Sequence, residues 1–205
     1  STYKADPATG QVEFLYKVTG KGTYGLETLG QAQTVEILGP LGKGFDLQPG
    51  WQHMIIVARG VGLATLAPLA EAAHRLGIRL TAVLSARSEK SLLSRERFAS
   101  LGADVRVVLD EDGSSSPERL EPLLRQIIAR EGTDALFTCG SRRLTQLLKK
   151  LSAELGLVGQ VALEQQMVCG LGMCQCCVEV FEVDGLRVGK RVCLEGPVFD
   201  LAEVV

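Results

Sequence analysis

Residues 53–77 read HMIIVARGVGLATLAPLAEAAHRLG, and the fold turns on this stretch. HMIIVA (53–58) is a short continuous apolar run, the pattern of a strand covered on both faces. Arg59-Gly60-Val61-Gly62 follows as a glycine-rich turn. A helical spacing of apolar residues then runs until Gly77 ends it. A buried strand, a glycine turn and a helix are the opening of a parallel βαβ unit.

Toward the C-terminus the alternation repeats. IRLTAVLSA (78–86) is a second strand, EKSLLSRERFASLG (89–102) is helical, and ADVRVVLD (103–110) is a third strand. In SSSPERLEPLLRQIIAREG (114–132), Ser116 before Pro117 marks a helix start. TDALFTCG (133–140) is a fourth strand and RRLTQLLKKLSAELG (142–156) another helix. The pattern predicts a Rossmann-like parallel sheet with helices on both faces. QVALEQQMV (160–168) reads as extended. Two valine-rich runs then flank Asp184-Gly185, the turn of a hairpin.

Toward the N-terminus the texture is all-β. Gln11–Val18 alternates, with Val12, Phe14, Tyr16 and Val18 on one face. TGKGTYGL (19–26) reads as a glycine-rich loop, and TVEILGPLGKGF (34–45) as a strand followed by turns. The first strand has no evident partner upstream, so further strands are expected before Ser1.

The 205 residues are 46% hydrophobic, enough for a real core, and carry a net charge of -2. That balance exerts no long-range pull on nucleic acid or an anionic membrane. No apolar run reaches the roughly 18 residues that span a bilayer, and the polar start is no signal peptide. Bunched cysteines fit a reducing cytoplasm with thiols free for a metal. His53 enters a strand and His74 sits in a helix, both with structural roles.

Four of the six cysteines lie in VCGLGMCQCCVEV (168–180). Cys169, Cys174 and Cys177 form C-x4-C-x2-C, with Cys193 as a distant fourth: the plant-type 2Fe–2S spacing. Gly170 and Gly172 let the backbone curl so that its N–H groups reach sulfur. Zinc, which favours paired C-x2-C knuckles, and a disulfide stay open as lesser readings. Cys176 is the spare thiol, because adjacent side chains point apart. Cys139 is either a free structural cysteine or a functional one.

CGLGMCQCC…CLEGPVF resembles the iron–sulfur loop of dihydroorotate dehydrogenase electron-transfer subunits, members of the ferredoxin reductase-like superfamily. LYKVTGKGTYGL and VEILGPLGKGF resemble that family's flavin-barrel segments. ARGVGLATLAPLA is similar to its nucleotide turn, with Arg59 where several glycines are usual. TCGSRRL is similar to its Cys-Gly-Pro motif, with Ser141 in place of Pro. The resemblance implies an α/β plus β fold in three parts. These are a partial flavin-binding β-barrel (1–50), a Rossmann-like NAD(P)-binding domain (51–160) and a C-terminal 2Fe–2S region (161–205). It implies FAD, NAD(H) and a 2Fe–2S cluster as cofactors, hydride exchange between nicotinamide and flavin, and single electrons passed on to a catalytic flavoprotein subunit in a hetero-oligomer.

By the same resemblance, Cys169, Cys174, Cys177 and Cys193 hold the cluster. Ser1 (the end of an Arg-x-x-Ser motif), Leu15, Tyr16, Lys17, Gly22 and Thr23 contact FAD. Gly60, Gly62 and Gly140 meet the nicotinamide nucleotide, Cys139 stands at the reacting centre, and Arg87 lies near an adenosine ribose. Small subunits of sulfide dehydrogenase or ferredoxin–NADP oxidoreductase type share the module, and a non-catalytic redox sensor would retain the cysteine loop.

Overall fold

A computed structural model describes all 205 residues. A hairpin of β1 (Thr2–Asp6) and β2 (Gln11–Phe14) leads to a short helix α1 (Lys21–Glu27). The central unit is β3 (His53–Arg59), α2 (Leu63–Arg75), β4 (Arg79–Ala86), α3 (Arg95–Ser100), β5 (Asp104–Leu109), α4 (Pro117–Glu131), β6 (Ala135–Cys139), α5 (Arg142–Leu155) and β7 (Val158–Ala162). A second hairpin, β8 (Val178–Val183) and β9 (Leu186–Arg191), precedes a single turn α6 (Val192–Glu195) and strand β10 (Val198–Asp200).

The main sheet has the order β10-β7-β6-β3-β4-β5. All neighbours in it are parallel except β10, which runs antiparallel to β7. Alternation along β3 sorts the core into two layers. Ile55 and Val57 pack with Leu120, Leu124, Leu144 and Leu148 of α4 and α5 on one face. Met54, Ile56 and Ala58 pack with Leu63, Leu66 and Leu69 of α2 and Phe98 of α3 on the other. A parallel strand covered on both sides has to be apolar throughout, which is why HMIIVA is continuous rather than alternating. Phe45 and Trp51 both meet Phe137 edge-on, at 5.6 and 6.0 Å between centroids, and tie the N-terminal segment to the second layer.

Four local expectations are corrected. Residues 19–26 are not a plain loop, because α1 forms there. Thr23 Oγ1 accepts from the Thr19 and Gly20 N–H groups at 2.9 and 3.1 Å and closes the helix start. Residues 34–38 form no strand; Ile37 and Leu38 are 64% and 67% exposed, and no neighbouring strand offers them a ladder. The helix expected over 89–102 shortens to Arg95–Ser100, because the Ser88 and Ser91 hydroxyls bond locally and Leu92 is extended. Strand β2 stops at Phe14, so the alternation read through Val18 is only half used. The structure also adds β10, which no sequence pattern announced, and β7 runs across position 160.

Candidate functional site

The cysteine loop lies between β7 and β8. Leu171 N–H and Cys174 N–H point at Cys169 Sγ, at 3.4 and 3.5 Å. Gly172 N–H reaches Cys193 Sγ at 3.2 Å, and Cys193 N–H reaches Cys177 Sγ at 3.4 Å. Gly172 has φ +77, and a Cβ there would meet Leu194 Cδ2 at 2.7 Å. Only glycine combines that backbone angle with that contact.

The cysteines fall into two pairs by these backbone bonds, Cys174 donating its N–H to Cys169 and Cys193 donating its N–H to Cys177. The N–H groups of Cys174 and Leu171 lower the Cys169 thiol to about 6. The N–H of Cys193, followed by its thiol, lowers Cys177, and the proximity of Cys177 raises Cys193. Cys177 and Cys193 are buried, whereas Cys174 and Cys176 are exposed. Two pairs of thiols, with backbone N–H groups aimed at sulfur, are the donor set a two-iron cluster takes.

A cavity of about 970 Å³ lies against α2, on the Cys139 side of the sheet. Ser1, Thr23, Thr65, Cys139, Glu164 and Leu41 are among its lining residues. Its size suits a nucleotide-sized cofactor. Burial, opposed by a hydrogen bond with Thr65, pushes the Cys139 thiol up to about 12, so it faces the cavity as a neutral thiol. Leu41 borders this cavity and also stands against Gly170 of the cysteine loop. Leu41 is held there because Lys43 N–H donates to Gly196 O, next to α6. Cavity and cysteine loop are therefore neighbours.

Of the other residues expected to meet flavin, Leu15 is half-buried and exchanges backbone hydrogen bonds with Ser1 at 3.1 and 3.2 Å. Tyr16 and Lys17 are exposed, Gly22 lies within α1, and none of the three lines the cavity.

The glycine turn after β3 packs directly on the turn after β6. A Cβ on Gly62 would meet Gly140 Cα at 2.7 Å, and a Cβ on Gly140, whose φ is +93, would meet Arg59 O. These positions are glycine because two backbones touch there. Gly60 lies in the same turn, while Arg87 is exposed at the end of β4. Gly140 also borders a second cavity of about 320 Å³, which shares Ala162 to Gln165 with the first. Sequence reading missed the Arg59–Asp110 ion pair beside this turn, at 2.6 Å, because its partners are far apart in the chain. It also missed the hydroxyls that hold His53, Thr133 Oγ1 at 3.1 Å and Thr81 Oγ1 at 3.0 Å.

Residues 164–205 match the family described as the iron–sulfur cluster binding domain of dihydroorotate dehydrogenase B. The chain is 32% identical over 197 residues to the dihydroorotate dehydrogenase B (NAD(+)) electron transfer subunit of Desulforamulus reducens, covering 96% of this chain and 75% of that one. The same subunit of Caldanaerobacter subterraneus subsp. tengcongensis is 34% identical, covering 95% and 76%. A solved NADH-dependent reduced ferredoxin–NADP oxidoreductase, described for flavin-based electron bifurcation, superposes with a TM-score of 0.81 at 28% identity, covering 100% of this chain and 72% of that one.

Sheet, cavity and cysteine loop define a ferredoxin reductase-like oxidoreductase module with an iron–sulfur segment. Within that class, the chain belongs to the electron-transfer subunits of dihydroorotate dehydrogenase B. No helix is long and apolar enough to cross a membrane.

Proposed function

We propose that the chain moves electrons between NAD(H) and a catalytic dihydroorotate dehydrogenase subunit, through FAD and a 2Fe–2S cluster. The observation that carries this reading is the pairing of Cys169 with Cys174 and of Cys177 with Cys193, through backbone N–H groups aimed at sulfur, next to the large cavity. When bound, flavin exchanges a hydride with nicotinamide and single electrons with an iron–sulfur centre.

The chain's own residues prepare the sites. Cys169, Cys174, Cys177 and Cys193 hold the irons, with backbone N–H groups offsetting negative charge on sulfur. Ser1 faces the cavity with a hydroxyl suited to flavin and is fixed by Leu15 through the backbone, while Thr23 lines the cavity with its hydroxyl spent on the start of α1. Cys139, as a neutral thiol, is a wall against the reacting ring rather than an acid or base. Leu41 lies between cavity and cysteine loop. In this reading 1–50 serves flavin, 51–160 the nicotinamide nucleotide and 161–205 the cluster.

The test is a purified pair of this chain with its catalytic partner. It should oxidise dihydroorotate with matched reduction of NAD(+), and it should show flavin and cluster absorbance. The likeness to the ferredoxin–NADP oxidoreductase across the whole chain favours a second reading, in which ferredoxin is the partner. A pair that couples NAD(P)H to ferredoxin but not to dihydroorotate would establish that reading instead.

A further inference from the structure

Arg59 is the last residue of β3, immediately before the Gly60–Gly62 turn. Its Nη1 donates to Ser85 Oγ at 2.9 Å and to Asp110 Oδ1 at 3.0 Å, and its Nη2 donates to Asp110 Oδ2 at 2.6 Å. A two-point fork of this kind fixes a guanidinium in place. The Nε–H and the second N–H of Nη2 have no protein partner, and the side chain is 26% exposed. Donors therefore stand free at the C-terminal ends of β3 and β4.

A second cation stands at the same carboxylate. Arg143 Nη2 lies 3.9 Å from Asp110 Oδ1 and donates to Ser115 O at 3.3 Å. Two guanidinium groups thus face one carboxylate. The Ser115 hydroxyl also donates to Asp110, so the carboxylate is anchored from both sides.

Position gives this cation its meaning. In an open parallel sheet, ligands gather outside the strand ends where the strand order reverses. Here the chain proceeds from β3 through β4 to β5 on one side, and through β6 to β7 on the other. The reversal therefore falls between β3 and β6, at the Gly60–Gly62 turn and Gly140. An N-terminal turn of this kind presents backbone N–H groups to an anion. Arg59 is the residue before that turn, and its guanidinium is held beside it over the ends of β4 and β5, at Ser85 and Asp110.

We infer that Arg59, oriented by Asp110, is a specificity-determining contact for the diphosphate of the nicotinamide nucleotide. The inference rests on the reading that this chain takes such a nucleotide. Arg59 replaces backbone-only recognition with recognition by charge, and Asp110 acts through it as a positioning residue.

The test measures NADH, ADP-ribose and adenosine binding to the cofactor-loaded protein by calorimetry, with circular dichroism as the check on folding. Arg59→Ala should weaken NADH and ADP-ribose about tenfold, as loss of a charged hydrogen bond implies, and leave adenosine unchanged. Arg59→Lys keeps the charge without the fork and should give a smaller loss of the same selectivity; it decides the matter if the alanine variant does not fold. Asp110→Asn should weaken ADP-ribose less than Arg59→Ala does, again sparing adenosine. Arg79→Ala removes a comparable ion pair, with Glu131, at the opposite end of the sheet and should change nothing. Unchanged ADP-ribose affinity in both Arg59 variants overturns the inference, as does an equal loss for adenosine. If the native protein binds neither NADH nor ADP-ribose, the nucleotide reading itself fails.

Discussion

Cys176 and Cys177 are adjacent and chemically identical, yet the fold gives them opposite surroundings. Cys177 is 2% exposed, packs in the α4/α5 layer and accepts the Cys193 N–H. Cys176 is exposed and follows Gln175, whose φ of +58 turns the chain there. Cys177→Ser should therefore lose most of its iron and visible absorbance, whereas Cys176→Ser should keep both. Iron-to-protein ratios of the two purified variants check this, and the reverse pattern would reassign the ligand. The C-x4-C-x2-C spacing was readable in the chain. The division into two pairs was not, because it depends on α6 bringing Cys193 beneath Gly172.

At the level of elements, β3 carries a buried histidine whose protonation is coupled to folding. His53 sits between the Thr133 and Thr81 hydroxyls, and burial, with the nearby Arg79 charge, lowers its pKa from 6.5. Below 6.5 the unfolded chain takes up a proton that the folded chain resists, so stability rises with pH in that window. Its contribution is complete above about 6.5 and is lost as pH falls toward the depressed folded value. Urea unfolding between pH 7.5 and 5.5 should show a declining stability in the native protein. His53→Gln should show a shallower slope, and identical slopes would remove His53 as the cause.

Strand β10 makes a different point about elements. Its three residues pair with Gln160–Ala162, and Phe199 stacks on Phe181 at 4.3 Å between centroids. That contact fastens the β8–β9 hairpin to the sheet. Phe199→Ala should cost about 3–4 kcal/mol of unfolding free energy, the usual range for a buried aromatic. A change below about 1 kcal/mol in urea titration would show that the hairpin holds without it. Nothing in Val198-Phe199-Asp200 marks a strand, since three residues carry no periodicity and the partner lies across the cysteine loop. The strands β3, β4 and β6 were legible because burial on two faces demands an unbroken apolar run. Residues 34–38 misled for the converse reason: an apolar stretch ahead of glycine and proline turns suits a strand, but a strand also needs a neighbour to bond with. The Arg59–Asp110 pair escaped for want of any local pattern that links two charges on different strand ends.

Taken as a whole, the molecule has a sheet packed on both faces and a metal-binding loop only partly anchored to it. Cys177 and Cys193 belong to a buried layer with Phe181, Val192 and Phe199. Cys169 and Cys174 lie outside both layers, in a segment where Val168 and Met173 are 77% and 78% exposed. Local stability follows the density of buried apolar contact, so the two halves of the loop should respond differently to loss of iron. Chelation under reducing conditions should leave amides of β3, β4 and β6 protected from hydrogen exchange, along with those of the β8–β9 hairpin near Phe181. Residues 168–176 should exchange fast once the thiols are released, and so should the 41–44 segment that Leu41 rests against them. Exchange followed by mass spectrometry resolves these segments. Uniform loss of protection through the sheet would mean that the cluster organises the entire fold, whereas confinement of the loss to the loop fits a rigid sheet with a metal-dependent edge.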